Sequence, residues 1–593
     1  MKKCSDAVII LLIMIKLKIK ENDSLDYRSE YKKWVESDYF DQATTDELYR
    51  IKDDEHEIEE RFYKSLDFGT AGMRGKLGAG TNRMNVYMIR RATKGFGNYI
   101  LENGDAKRGV VIAYDSRNFS DVFALETART LASLGIKSYL FTSLRPVPVL
   151  SYGIRKLGAQ AGVVITASHN PKEYNGYKVY WEDGAQVVDE VGDEIIEHVN
   201  EIDDYDKIDV MAEDEAVDKG LIVYIDSEID DAYINDIKTL ACEKKFDKNI
   251  NIVYTPIHGA GNIPVRRVLD ELGYKNIVVV AEQEKPDGDF PTVEAPNPED
   301  KHAFDIAIKY AKKAGAELIL GTDPDGDRLG MLILDDKGQF YRPNGNEIGA
   351  LLFCFYIKAN EERLTGNNVM VKSIVSSDII HKIAAKKDIK VVEVLTGFKY
   401  IGEYIKNIEN TDEKFVFGFE ESYGYLAGTF VRDKDAVVAA MIACDMCAYY
   451  KSRGKTIYQA LQSLYQEHGF YSDRQLAITL EGKAGMERIG RIMDAFRLNG
   501  FPKIEGLTVS KRYDYLTGNI TCNHSGKVAK TKLRSSNVLK NMFDNSSWVC
   551  LRPSGTEPKI KIYGSVCGES KASSEKLLTQ MIDIVKCEMD KIE

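Results

Sequence analysis

Three aspartates on alternate positions, Asp323, Asp325 and Asp327, sit in the string GTDPDGDR directly after a short apolar run. Alternation along an extended loop lets all three carboxylates face one point. Carboxylates that converge repel one another unless a cation lies between them, and hard oxygen ligands suit Mg²⁺. A calcium loop of the helix–loop–helix kind needs Gly at its sixth position and Glu at its twelfth. Counted from Asp323, those places hold Arg328 and Leu334, which excludes it. A second candidate is Ser168, in TASHNP, after an apolar run at 162–165 that reads as a buried strand. Pro171 lacks an amide hydrogen and biases Asn170 away from helical angles, so the chain turns there. The expectation is a hydroxyl held up in an open loop, where open α/β sheets bind ligands. Lys178 follows closely enough to fold back over it. Such a serine, met alone, is equally an ordinary turn residue. The third candidate is RPSGTEPK, where Arg552, Ser554, Gly555, Thr556 and Lys559 combine charge, hydroxyls and free amides. That combination suits a phosphate dianion, and only two of its residues are cations, so it can release as well as hold.

The elements that must position these groups follow an α/β pattern. Residues 25–63 read as amphipathic helix, with Thr45 and Glu47 a possible cap. The stretch 67–85 is too rich in Gly to read as a regular element. Beyond it, a strand at 109–114, a helix at 121–134 and a strand at 137–141 lead to the Ser168 unit. The order favours mostly parallel sheets. The acidic stretch 190–218 reads as solvated surface and linker. A second unit from 229 has strands at 250–254, 276–280 and 317–320, the last feeding the aspartate loop. A third has strands at 369–373, 391–395 and 415–419, then a mostly apolar helix after Lys434. The last unit has a different texture, with a polar loop at 513–532 and a strand at 548–551. The chain divides as 1–24, 25–228, 229–336, 337–465 and 466–593.

At 593 residues the chain is too long for a single core. Its 44% apolar and 29% charged content is that of a soluble globular protein. A net charge of −12 argues against nucleic acid or an anionic membrane as partner. An anionic small substrate then needs locally gathered Lys and Arg. Nine scattered cysteines, with no even framework, point to reduced thiols and the cytoplasm. The apolar run at 7–15 suits a signal-peptide core but not a membrane span, and Lys16, Lys18 and Lys20 follow it instead of a cleavage site. A signal or anchor is one reading; an N-terminal extension of little consequence is the one favoured here.

Five strings, in the order GTAGMRG, TASHNP, DPDGDR, GFEESYG and RPSGTEPK, resemble the α-D-phosphohexomutase family, the phosphoglucomutases and phosphomannomutases. The resemblance covers the chain from about residue 26 onward. It implies three similar α/β domains with mixed, mostly parallel sheets, plus a C-terminal α+β lid around a central cleft. It further implies that Ser168 carries a phosphoryl group between turnovers and that Arg74 approaches it. One Mg²⁺ per chain is expected on Ser168, Asp323, Asp325 and Asp327. Arg328, Thr396, Gly397, Lys399, Glu420, Ser422, Arg432 and Lys434 are expected at the substrate, as are Arg552, Ser554, Gly555, Thr556 and Lys559. Lys178 is the expected proton carrier, its pKa lowered by burial and by cations such as Arg74, with His169 as rival.

The cycle so implied converts glucose 1-phosphate and glucose 6-phosphate through glucose 1,6-bisphosphate, which is both intermediate and activator. The intermediate turns end for end, so the last domain is expected to move as a lid. Mannose or pentose phosphates are alternative substrates. A different class is a phosphatase using Asp323 as nucleophile, since DPDG also has the look of an aspartyl-phosphate motif. It would stay active in Ser168→Ala. A non-catalytic sugar-phosphate sensor is the third reading. Small-molecule sugar phosphate is the expected partner, without nucleic acid or membrane, on a monomer or homodimer.

Overall fold

The computed structural model describes residues 26–593 except 70–71, 243, 481 and 555–558. The N-terminal extension at 1–24 and the expected phosphate contacts Gly555 and Thr556 therefore lie outside the described residues.

Three short helices open the chain, Tyr27–Glu36, Gln42–Arg50 and Glu55–Phe62. Their apolar stripes close on one aromatic cluster in which Trp34 and Phe40 stack at 4.1 Å. The caps are Asp41 and Asp54, whose side chains accept from Thr44 N and Glu57 N. Thr45 and Glu47 do not cap a helix: both lie inside Gln42–Arg50, and the Glu47 carboxylate is taken by Arg61.

Four sheets follow. The first runs Gly72–Lys76, Tyr174–Trp181, Ala161–Ile165, Val110–Tyr114, Ser138–Phe141, Ile222–Ile225. Its last four strands are parallel and its first two antiparallel to their neighbours. Ala161–Ile165 is buried along its whole length, as an apolar run flanked on both faces must be. The Gly-rich stretch does form a strand, contrary to its composition, because close approach to Tyr174–Trp181 requires glycine. A Cβ on Gly72, which has φ 128°, would stand 1.9 Å from Tyr177 O. The acidic stretch is no linker either. It forms the helices Asp189–Asn200 and Glu213–Asp218, which bury Ile195, Val199 and Ala216.

The second sheet runs Phe340–Tyr341, Leu329–Leu334, Leu318–Thr322, Ile252–Thr255, Ile277–Val279, and the third Lys390–Val394, Asn367–Ser373, Glu413–Glu420, Gly424–Ala427. Each is mixed, with two parallel pairings. The fourth is a seven-stranded antiparallel sheet, with helices Gly482–Asn499 and Lys571–Asp590. The polar loop expected at 513–532 belongs to it, as the paired strands Val509–Asp514, Asn519–Cys522 and Val528–Lys530. This hairpin projects at the sheet edge, so neither face alternates apolar with polar and the sequence hides it.

One buried apolar cluster runs through the first three sheets, starting at Val111, and reaches Tyr471 on the fourth. The helix Ala436–Lys451 lies in its middle and is buried almost throughout. Buried phenols stitch these units together: Tyr180 donates to Asp433 (2.8 Å), Tyr233 to Asp435 (2.9 Å) and Tyr274 to Asp445 (2.6 Å). The fourth sheet has its own core, including Ile492, Phe496, Val549, Ile562 and Met581. The eight described cysteines are free. Cys444 and Cys447 are spaced C-x-x-C on the buried helix, and burial pushes the Cys447 thiol up to about 12, which rules out a reactive pair. No helix among the described residues is long and apolar enough to cross a membrane.

Candidate active site

Strand Ala161–Ile165 ends at Thr166, and two residues on, Ser168 takes φ 51°. Its amide donates to Thr166 Oγ1 (2.7 Å), whose hydroxyl donates in turn to the buried Asp115 (2.6 Å). The expectation of an open loop is corrected: Ser168 is 3% exposed, because the aspartate loop of the second sheet covers it. The Ser168 hydroxyl donates to Asp323 Oδ2 at 2.8 Å. Two loops 155 residues apart in sequence thus meet at one atom pair.

The aspartate loop joins Leu318–Thr322 to Leu329–Leu334 and turns at Gly326, φ 61°. The backbone anchors it from two sides, Ala260 N donating to Pro324 O (2.8 Å) and Val147 N to Asp325 O (2.9 Å). Asp323, Asp325 and Asp327 are each 1% exposed or less, and their ligand atoms lie within 4.8 Å of one another. Asp323 Oδ1 accepts from the amides of Asp327 and Arg328, which fixes its plane. Burial, and then the charges of Asp325 and Asp327, push the Asp323 carboxyl well above the usual range. Burial acts the same way on Asp325, but Lys178, the hydrogen bond with Asp323 and the charge of Lys434 together hold that group below the usual range. Asp327 is raised, by burial and then by Asp325.

Asp325 Oδ1 and Asp327 Oδ1 are buried with no hydrogen-bond partner. Orphaned carboxylate oxygens in a dry, triply acidic loop are costly unless a cation is bound. The donor set is all carboxylate and hydroxyl oxygen, as Mg²⁺ requires. The residues therefore fit the divalent ion. A second cluster of possible ligands, Asp378, His381 and Glu393, does not. There the buried Lys372 ammonium already bonds Asp378 (2.9 Å) and Glu393 (2.7 Å).

Two ammonium groups border the acidic loop. Lys178, on Tyr174–Trp181, bonds Asp325 Oδ2 at 2.8 Å and lies 3.8 Å from Asp327. Its partners are carboxylates, where cations were expected. Lys434 bonds Asp327 Oδ2 (3.0 Å) and Asp433 (2.9 Å); burial opposes its charge, but Asp327 and Asp433 prevail and raise its pKa. His169 Nδ1 lies 3.3 Å from Ser168 Oγ. Burial, then Arg328, Arg74 and Arg117, hold its pKa well below the usual value, so the ring is neutral. Arg74, on Gly72–Lys76, donates to Asn170 Oδ1 (3.3 Å), two residues past the serine. Arg328 pairs with Glu299 at 2.9 Å.

The third sheet brings Glu420 to the end of Glu413–Glu420, where its carboxylate accepts from Gly397 N at 2.6 Å. Gly397, φ 122°, precedes the helix Phe398–Ile408, and Thr396 sits half-buried before it. Burial and then Glu421 raise the Glu420 pKa. Ser422 donates to Glu421 (3.3 Å), while Lys399 is drawn to Asp189 of the first unit (2.6 Å). Arg432 is corrected. It is 1% exposed, its guanidinium pairs with Glu409, and its amide donates to Ser151 Oγ at 2.9 Å. It braces the first unit against the third, whereas Lys434, two residues on, bonds Asp327 directly.

From the fourth sheet, Arg552 at the end of Trp548–Pro553 is half-buried. Burial works against its charge, whereas Tyr563, Glu421 and Glu420 favour it, so it faces the Glu420 loop. Ser554 N donates to Lys559 O at 2.7 Å, closing the base of the phosphate-type loop. A cavity of about 170 Å³, lined by Glu299, Asn344, Glu421, Gln475 and Tyr563, opens between this sheet and the third.

Several residues here escaped the sequence reading. Lys561 is half-buried in the cleft; burial lowers its pKa, against Glu421 and Glu299. It lies two residues beyond the end of RPSGTEPK, and strand alternation keeps it on the same face as Lys559. Asp433 and Glu299 hold Lys434 and Arg328. Arg117 and Asp115 support the serine loop from a separate strand end, with no local signal beyond a polar DSR after an apolar run.

Three family models match the chain in sequence order, described as phosphoglucomutase/phosphomannomutase alpha/beta/alpha domain I at residues 65–206, domain II at 231–337 and domain III at 344–468. The phosphoglucomutase of Staphylococcus epidermidis is 38% identical over 545 residues, covering 92% of this chain and 98% of the relative. That of Staphylococcus haemolyticus is 38% identical over 508 residues, 86% and 91% of the two chains. Among solved structures, a putative phosphomannomutase from Thermus thermophilus superposes with TM-score 0.64 at 21% identity, covering 88% and 99%. The open form of Paramecium parafusin, a phosphoglucomutase, gives 0.62 at 19%, covering 89% and 95%. At those identities the two structures speak for the fold alone.

Proposed function

This chain belongs to the phosphoglucomutase/phosphomannomutase family, and we propose that it interconverts glucose 1-phosphate and glucose 6-phosphate by way of a phosphorylated Ser168. The observation that supports this reading most is the 2.8 Å bond from the Ser168 hydroxyl to Asp323, inside a buried acidic loop with two unpartnered oxygens. We retain the segments 25–228, 229–336, 337–465 and 466–593 as the four domains of the machine.

In the first half-reaction the free hydroxyl of the hexose monophosphate attacks the phosphorus on Ser168. The bond from phosphorus to Ser168 Oγ breaks as the bond to the sugar oxygen forms; the sugar hydroxyl gives its proton to a base, and Ser168 Oγ takes up a proton as it leaves. A divalent ion held by Asp323, Asp325, Asp327 and the serine's phosphoryl group would supply positive charge against the equatorial oxygens. Arg74 adds to that field from the neighbouring strand. His169 is the favoured proton carrier, because its neutral ring nitrogen already reaches Ser168 Oγ while the Lys178 ammonium is engaged by Asp325. Glu420 and Ser422 take sugar hydroxyls, a carboxylate being able to accept from two vicinal groups. Arg552, Ser554, Gly555, Thr556 and Lys559 grip the distal phosphate. The glucose 1,6-bisphosphate so formed turns over; in the second half-reaction the Ser168 hydroxyl gives up its proton as its oxygen takes the other phosphoryl group, and the departing sugar oxygen gains a proton.

A coupled assay with glucose 1-phosphate, mannose 1-phosphate and ribose 1-phosphate tests the reading. Glucose 1-phosphate should give the highest kcat/KM, and Ser168→Ala should abolish turnover. Release of inorganic phosphate by Ser168→Ala would instead mark a phosphatase.

A further inference from the structure

Ser168 sits in the left-handed region, which costs a serine roughly 1–2 kcal/mol and persists only where the surroundings over-determine it. The carbonyl oxygens around it turn inward onto one side chain. Arg117 Nη2 donates to Ser168 O (2.6 Å) and to Asn170 O, and Nη1 donates to Pro171 O (2.8 Å) and Tyr174 O (3.0 Å). The arginine is 3% exposed. Asp115 lies 3.5 Å from its Nε, and the Phe290 ring, from the second unit, lies 5.0 Å from the guanidinium. Asp115 also accepts from Thr166, which orients the Ser168 amide. One strand end at 115–117 therefore grips both sides of the serine.

We infer that Arg117 is a positioning residue for the phosphoryl transfer, fixing Ser168 Oγ against Asp323 whether the serine is free or phosphorylated. The inference rests on the phosphoserine reading above. A planar fork is needed for four carbonyls spread over seven residues; an ammonium donates from a single point and cannot span them. The serine gives up and regains its phosphoryl group in every cycle, so its oxygen must return to one place. A displacement near 1 Å costs on the order of 100-fold in rate. Arg117 touches no reacting atom, and its loss should fall on the transfer step rather than on sugar binding.

The test uses the full chain with Mg²⁺ and the variants Arg117→Lys and Arg117→Met. Four readouts are compared: kcat, KM for glucose 1-phosphate, phosphate uptake on Ser168 from glucose 1,6-bisphosphate by intact mass, and hydrogen exchange of residues 166–176. The expected result is kcat lower by about 100-fold in Arg117→Met and by less in Arg117→Lys, with KM changed by less than about threefold. Faster exchange should be confined to the loop. Wild-type kcat in Arg117→Met, a KM that rises as far as kcat falls, or exchange that quickens throughout the chain would each overturn the inference. If wild-type protein takes no phosphate while the loop's exchange responds as stated, the phosphoserine reading falls and the clamp stands. If Ser168 is phosphorylated equally fast in all three proteins, the clamp alone falls.

Discussion

The first three units and the C-terminal unit solve opposite problems. The former share one apolar cluster, and their buried phenol–carboxylate bonds cross from unit to unit. The latter has a core of its own and meets the third unit through one small buried seam, where Ile374, Val375 and Leu395 pack on Val538, Trp548 and Tyr563, and through a few polar pairs. Arg534 meets Glu190 (2.9 Å) and Glu403 (2.6 Å) at the surface, and Lys571 reaches the buried Glu347 (2.9 Å). The difference separates two tasks. The groups that handle phosphorus are built into a block that cannot shift without breaking its core. On the proposed function, the groups that would grip the far phosphate ride on a body with a smaller shared core, where a sugar turning end for end would need movement.

Disturbing the block should do the most damage. Chelating the divalent ion, or making Asp325→Ala, should lower kcat by about 10³-fold or more, since several kcal/mol of charge stabilisation are lost. Initial rates in metal-buffered assays measure it; retained activity without metal would undo the assignment of the acidic loop. The C-terminal unit should respond differently. Arg552→Gln is expected to raise KM by about 10- to 100-fold, one charge-assisted bond's worth, while Ser168 still accepts phosphate from the bisphosphate. A fall in kcat with KM unchanged would place Arg552 with the block.

A subtler contrast concerns pH. Burial raises Asp435 to about 6, although it caps the helix Ala436–Lys451 and accepts from Tyr233. Its folded pKa exceeds its unfolded one, so between about pH 4 and 6 the folded chain binds more protons and stability falls as pH rises. Asp435→Asn keeps the cap and removes the titration. Across that window wild type should lose on the order of 2 kcal/mol relative to the variant, read by denaturant melts at each pH. Parallel curves would contradict it. Smallest of all, Arg534→Ala removes exposed pairs worth about 1 kcal/mol or less, and KM should move by less than about threefold. A larger change would mean that the surface contacts hold the lid shut.

Sequence legibility followed the same division. Ser168, the three aspartates and Glu420 each stand at the end of an apolar run, where a strand must stop, and the strings announce themselves locally. The strands at 110–114, 138–141, 318–322 and 413–420 were legible for the same reason. Arg117 was not, because its worth lies in carbonyls more than fifty residues away. Arg432 and Lys434 look alike in the chain; only the fold turns one toward Glu409 and the other toward Asp327. The hairpin at 509–530 was lost because an exposed edge ribbon has no apolar face to read.

Phosphate stored at one hydroxyl is the centre of the proposed cycle. Full-length protein mixed with glucose 1,6-bisphosphate, then weighed intact and mapped by peptide fragmentation, should gain one phosphate, on Ser168, and lose it to added glucose 1-phosphate. A chain that stays unmodified while it turns over, or that carries the group elsewhere, would contradict it.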